Sequence, residues 1–261
     1  MPFWEHFDVL RAAIIKTAAV AVVFAVLAFC MKDKLFDIVL APKSDSFVTY
    51  RLLDHVAALT GNSAGSFKVS LINTGLAQQF IIHMKTALCM GVVLAAPYIL
   101  YQLFRFVSPA LYENERSYAT RLVSAGYLMF MTGMAVSYFL IFPLTFRFLG
   151  TYQVDTEVSN MISLESYMST LITMSLMMGL MFELPVLLWL LGKMGLVSAS
   201  RLRRYRKHAL VAILIAAAVI TPTSDIFTLL ITSMPVYILF EAGILIVACT
   251  ESKSLPQTST V

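Results

Sequence analysis

Four stretches of this chain, about 12–31, 81–104, 122–146 and 167–191, stay apolar for as long as a helix needs to cross a membrane. A hydrocarbon core of ~30 Å takes about 20 mainly apolar residues in helical form. Two further runs, 209–220 and 226–248, flank the turn Thr221-Pro222-Thr223-Ser224-Asp225. The first of these is short, so it crosses only with local bilayer thinning or tilt of its neighbours. With 59% hydrophobic and 13% charged residues, the 261-residue chain has too little polar surface for a soluble domain. The expected fold is an all-α integral membrane protein with six transmembrane helices in one domain, residues 1–250. Residues 32–79 form an external cap of short helices around a flexible middle, and residues 251–261 a polar, disordered tail.

Most of the 19 Lys and Arg residues fall in the short segments on the side of the termini, notably Arg105, Arg116, Arg121 and the run Arg201 to Lys207. The opposite side holds five basic residues in one long loop, plus Lys85 and Arg147 near span ends. Long loops weigh little in the positive-inside rule, so both termini are expected in the cytoplasm. The basic residues form no face that could track nucleic acid. Cys30, Cys89 and Cys249 are far apart and lack metal or redox spacing, so they are read as small buried hydrophobes; no cofactor or metal is expected. Gly61-Asn62-Ser63-Ala64-Gly65 spells a nucleophile elbow without the strand and helix that make one work, and is read as a chance match.

Proline punctuates the spans. Pro97, Pro143, Pro185 and Pro235 lie within or near the ends of apolar runs, each removing a helix hydrogen bond, while Pro109 and Pro222 lie in turns. Bends in four spans at once favour a concave, glove-shaped bundle. Glu183, in Gly179-Leu-Met-Phe-Glu-Leu-Pro-Val186, is the sharpest single residue. A carboxylate at that depth costs roughly 2.5–3.5 kcal/mol on insertion scales, so it must face a partner, water or the bundle interior, or hold a proton. Asp225 is placed to cap the last helix, and Glu241 to meet the basic loop.

The segment from Ala96 to Arg121 joins two spans across a polar turn that carries Arg105, Glu113, Glu115 and Arg116 beside Phe104, Phe106 and Tyr112. Carboxylates beside aromatic faces suit a guanidinium, which donates bidentate hydrogen bonds and stacks on rings. The same acids could equally favour the N-terminus of the next helix through its dipole.

In order, Pro97, Tyr101-Gln102, Phe106, Pro109, Leu111 and Glu115-Arg116 resemble the first cytoplasmic loop of the TatC family, the multispanning subunit of the twin-arginine protein translocase. His6, Leu10-Arg11, Gly133, Tyr138-Phe139 with Phe142-Pro143, Phe182-Glu183-Leu184-Pro185-Val186, Gly195, Arg203 to Tyr205, Thr221-Pro222 with Asp225, and Pro235 with Phe240-Glu241 extend the resemblance along the chain. It implies a non-enzymatic receptor core that exports folded proteins across the bacterial cytoplasmic membrane, driven by the proton-motive force. Glu115 and Phe106, with Arg11, Asp8 and Arg116, would bind twin-arginine signal peptides. Glu183 and Asp225 would form the intramembrane polar surface for TatA-like and TatB-like single-span partners, in an oligomeric complex embedded in membrane lipids. Asp8 stands one position before the family's usual glutamate, a rotation of roughly 100° on a helix. The rival class, a proton-coupled small-solute transporter using Glu183, is opposed by the absence of an internal repeat and of a second intramembrane charge.

Overall fold

A computed structural model describes residues 3–59, 70–107, 119–153, 155, 160–221 and 225–254. Eleven α-helices carry these residues, and five of the spans they form are long and apolar enough to cross a membrane: Phe7–Cys30, Gln78–Phe106, Leu122–Thr151, Leu164–Lys193 and Ile226–Glu251. The expected fifth span is helix α10, Arg206–Ile220, whose 15 residues fall below that length. Exposed apolar side chains such as Val22, Val26, Leu128, Leu187 and Ile215 cover the outer faces, as lipid contact requires. Cys30 and Cys249 also lie on such faces rather than in the interior expected for them, because hydrocarbon accepts a thiol as readily as a protein core does.

The chain divides into two compact units. The described residues of Ile14–Ala96 and Met134–Leu176 make one of them. Here α1 (Phe3–Cys30) approaches α4 (Gln78–Val107) so closely that a Cβ on Gly91 would sit 2.5 Å from the Ala21 carbonyl oxygen. Small residues permit backbone contact at that distance, and nothing larger would fit.

Within the segment 32–79, expected to form a cap, this unit folds α2 (Lys32–Leu40), a short 3-10 turn and α3 (Val48–Leu59). Its expected flexible middle, with the Gly61 to Gly65 pattern, lies outside the described residues. Pro143 explains how the cap is fastened. Lacking an N–H, it cannot donate to the carbonyl of Phe139 four residues back, and the helix passes through a π turn, Ser137–Ile141, before α6 (Phe142–Thr151). The Thr49 hydroxyl donates to that Phe139 carbonyl, and the Phe47 ring stacks on Phe139. Tyr50 donates to the Pro143 carbonyl at 3.3 Å, and Tyr138 and Tyr167 donate to the carbonyls of Ile38 and Val39. Burial holds the Tyr50 phenol well above its usual range, so the donor proton stays in place through neutral and alkaline pH.

A two-residue parallel pair, β1 (Leu71–Ile72) with β2 (Ile162–Ser163), ties the segment before α4 to the start of α7 (Leu164–Met181). No sequence pattern announced it.

The described residues of Met1–Ala13, Pro97–Gly133 and Met177–Val261 make the second unit. Its core gathers Leu100, Phe104 and Leu190 against Leu122, Tyr127 and Trp189. The expected 167–191 span is interrupted at Phe182–Glu183, where α7 ends and α8 (Leu184–Lys193) begins. Pro185 lies in the first turn of α8, where a missing N–H costs no helix bond. Pro97 and Pro235, by contrast, sit inside α4 and α11 (Ile226–Ser254); Pro109 and Pro222 lie outside the described residues.

Helix α11 runs through Ser254, four residues into the tail expected to be disordered. The Glu251 carboxylate accepts the amide of Ala199, at the start of α9 (Ala199–Arg204), which holds that last turn in register. At the other end, the Thr228 amide donates to the Asp225 carboxylate at 2.7 Å, the bond of a helix N-cap. Asp225→Ala is expected to lower stability by about 1 kcal/mol, read as a lower melting temperature of the purified protein in detergent, with Asn largely restoring it. Unchanged melting would remove the cap as a source of stability.

Candidate functional site

Glu183 is 8% exposed, and its backbone, not its side chain, caps α8. The carboxylate instead lies over Gly126 of α5 (Ala119–Val136): a Cβ there would sit 3.1 Å from Glu183 Oε2 and 3.6 Å from a methyl of Leu100. Oε1 is buried without a hydrogen-bond partner among the described residues. A buried polar atom left unmet costs about 1–3 kcal/mol, a charged one more. The arrangement can therefore accept a hydrogen bond from an incoming polar group, or donate one when protonated.

Gly126 had no place in the sequence reading, although a signal for it exists. Gly126 and Gly133 are seven residues, two helical turns, apart on α5 and share a face. Gly133 meets the carbonyl of Met178 and the side chain of Phe182, while Gly126 meets the carboxylate one residue further on. A small-residue stripe facing a helix break marks where backbones approach.

The sequence-predicted residues of the polar loop distribute differently. Asp8 and Arg11 are exposed and three apart on α1, and Phe106 is half-buried in the last turn of α4. Glu115 and Arg116 lie outside the described residues. Asp225 is committed to its cap through one oxygen, while Oδ1 is buried without a hydrogen-bond partner among the described residues. No hydrogen bond joins it to Glu183 among the described residues. Glu241 meets the basic run as expected: its carboxylate accepts from Arg206 at 2.5 Å and from Tyr237 at 3.2 Å.

A chain whose described residues are overwhelmingly helical, with long apolar helices and one carboxylate buried among them, is a multi-pass membrane protein. A family model described as Sec-independent protein translocase protein (TatC) matches residues 5–235. A protein of that name from Blattabacterium sp. subsp. Periplaneta americana is 32% identical over 252 residues, 94% of each chain. Another, from Desulforapulum autotrophicum, is 34% identical over 244 residues, 94% of this chain and 83% of its own. The crystal structure of the twin arginine translocase receptor TatC matches with a TM-score of 0.76 at 27% identity, covering 93% of this chain and 97% of that one. The chain belongs to the TatC family, and it is a transport protein, a component of a Sec-independent protein translocase that works with other translocase subunits.

Proposed function

We propose that this chain is the receptor core of the twin-arginine translocase of a bacterial cytoplasmic membrane. It binds the twin-arginine signal peptides of folded proteins at its cytoplasmic face and assembles with TatA-like and TatB-like single-span partners for export driven by the proton-motive force. The observation that carries the reading is the extent of the likeness: a solved structure of a twin arginine translocase receptor is matched over 93% of this chain and 97% of that one. In this reading Glu115 pairs with one signal-peptide arginine, Phe106 and Arg116 flank it, and Asp8 and Arg11 contribute from α1. Glu183, buried with Oε1 unpartnered among the described residues, and Asp225, at the start of the last helix, offer polar contacts to the partners' membrane helices.

The test is binding of a twin-arginine signal peptide, against a twin-lysine control, to wild-type protein and Glu115→Ala. A bidentate arginine–carboxylate contact is worth about 1.5–3 kcal/mol, so its loss weakens arginine binding by roughly tenfold or more and erases the preference over lysine. Equal binding of both peptides by folded wild-type protein would remove Glu115 as the recognition residue.

A further inference from the structure

Between α4 and α7 runs an open groove of about 320 Å³ that the translocase reading leaves without a role. Its walls are two helix stripes. Leu88, Cys89 and Val92 follow Lys85 at three-, four- and seven-residue spacing on α4, and Met168, Ile172 and Leu176 follow Glu165 at three-, seven- and eleven-residue spacing on α7, with Ser169 and Thr173 beside them. Each stripe is therefore one helix face, charged at its first position and mainly apolar along the rest.

The charged end is built rather than incidental. Gln78 Oε1 accepts the amides of Thr74 and Gly75 at 3.1 and 2.9 Å, which locks its orientation in the turn before α4. Its Nε2 then donates to Glu165 Oε2 at 2.7 Å, fixing that carboxylate. The other oxygen, Oε1, faces Lys85 Nζ at 3.8 Å, and both side chains are more than half exposed. So open an ion pair holds its partners weakly and leaves hydrogen-bonding capacity on each.

A ligand matching this surface has adjacent positive and negative groups at one end and a hydrocarbon chain behind them. We propose that the groove binds one phospholipid with an ethanolamine headgroup, its phosphate on Lys85, its ammonium on Glu165, and an acyl chain along the α4 and α7 stripes. The fixed carboxylate selects the head. A primary ammonium donates hydrogen bonds to Glu165, whereas a choline's methylated nitrogen has no N–H to give. An anionic glycerol head would satisfy Lys85 and leave Glu165 facing like charge.

The experiment is native mass spectrometry of the full chain in detergent with an equimolar mixture of phosphatidylethanolamine, phosphatidylcholine and phosphatidylglycerol of identical acyl chains. One ethanolamine lipid retained per chain, roughly tenfold over either competitor, is the expected result. In Glu165→Gln that excess falls to the level of the choline lipid, and Ser169→Trp, at an exposed position on the groove wall, blocks retention of the bound lipid. Equal retention of the three lipids by wild-type protein overturns the proposal, as does retention of the ethanolamine lipid unchanged in both variants. The wild-type competition needs no variant to fold, and signal-peptide binding is read separately, so either proposal can fail alone.

Discussion

Gly133→Ala is expected to destabilise the protein severely, and Gly133→Leu to prevent its accumulation in the membrane. A Cβ at this position would stand 2.5 Å from the Met178 carbonyl oxygen and 2.8 Å from Phe182. Carbon and oxygen do not approach within about 3.3 Å without cost, so α5 and α7 would have to separate by close to an ångström. The neighbour cannot give way by rotating, because it is backbone. Met178 O already accepts the amide of Phe182 at 3.0 Å in the last turn before the break, and pushing it aside strains that turn. Overpacking of a tight contact costs typically 1–3 kcal/mol, and a backbone clash belongs at the upper end or beyond. Gly192 supplies the comparison: there a Cβ meets Val247 methyls at 3.1 and 3.3 Å, a side chain that can shift. Melting in detergent should therefore rank wild type above Gly192→Ala, and Gly192→Ala above Gly133→Ala. If Gly133→Ala melts with wild type, the close approach of α5 and α7 is not a source of stability.

The same contact shows what could and could not be read from the sequence. Apolar run length placed the spans, since a helix crossing lipid must satisfy its own backbone and so declares itself locally. Proline marked where helices are broken or relieved, as at Pro143 and Pro185, and Asp225 declared its cap by its position before an apolar run. What escaped was pairing at long range. Thr49 donating to Phe139, the Leu71–Ile162 bridge and Gly126 beneath Glu183 join residues scores of positions apart, and no local period encodes them. Only the first four residues of the expected tail, 251–254, depart from that expectation, and for the same reason. Residues after Glu251 look polar enough to be disordered, and the distant Ala199 amide, bonded to Glu251, holds the turn where the helix continues. For the site, the sequence supplied Glu183 from cost alone, because an acid in hydrocarbon is too expensive to be incidental. It could not supply the seat that holds the acid.

That seat leads to the second large effect, a separation of stability from function at Glu183. In the isolated chain Oε1 is buried without a partner among the described residues, against Gly126 and Leu100. Replacing the acid by methionine, similar in length and able to fill irregular space, removes the unmet polar atom and should raise stability by about 1–3 kcal/mol. Under the proposed docking role the same change removes the group that meets a polar side chain on a partner helix. Export of a twin-arginine substrate should then fall to background at equal protein level, and co-purification of the single-span partners should weaken. Glu183→Gln keeps hydrogen-bonding capacity without a titratable proton, so it divides the remaining possibilities. Full export by Gln with loss in Met assigns the residue to docking through hydrogen bonds. Loss in both, with partners still bound to Gln, assigns it to proton movement. A methionine variant that is both more stable and fully active would mean that the buried acid serves neither, and the docking role of Glu183 would have to be abandoned.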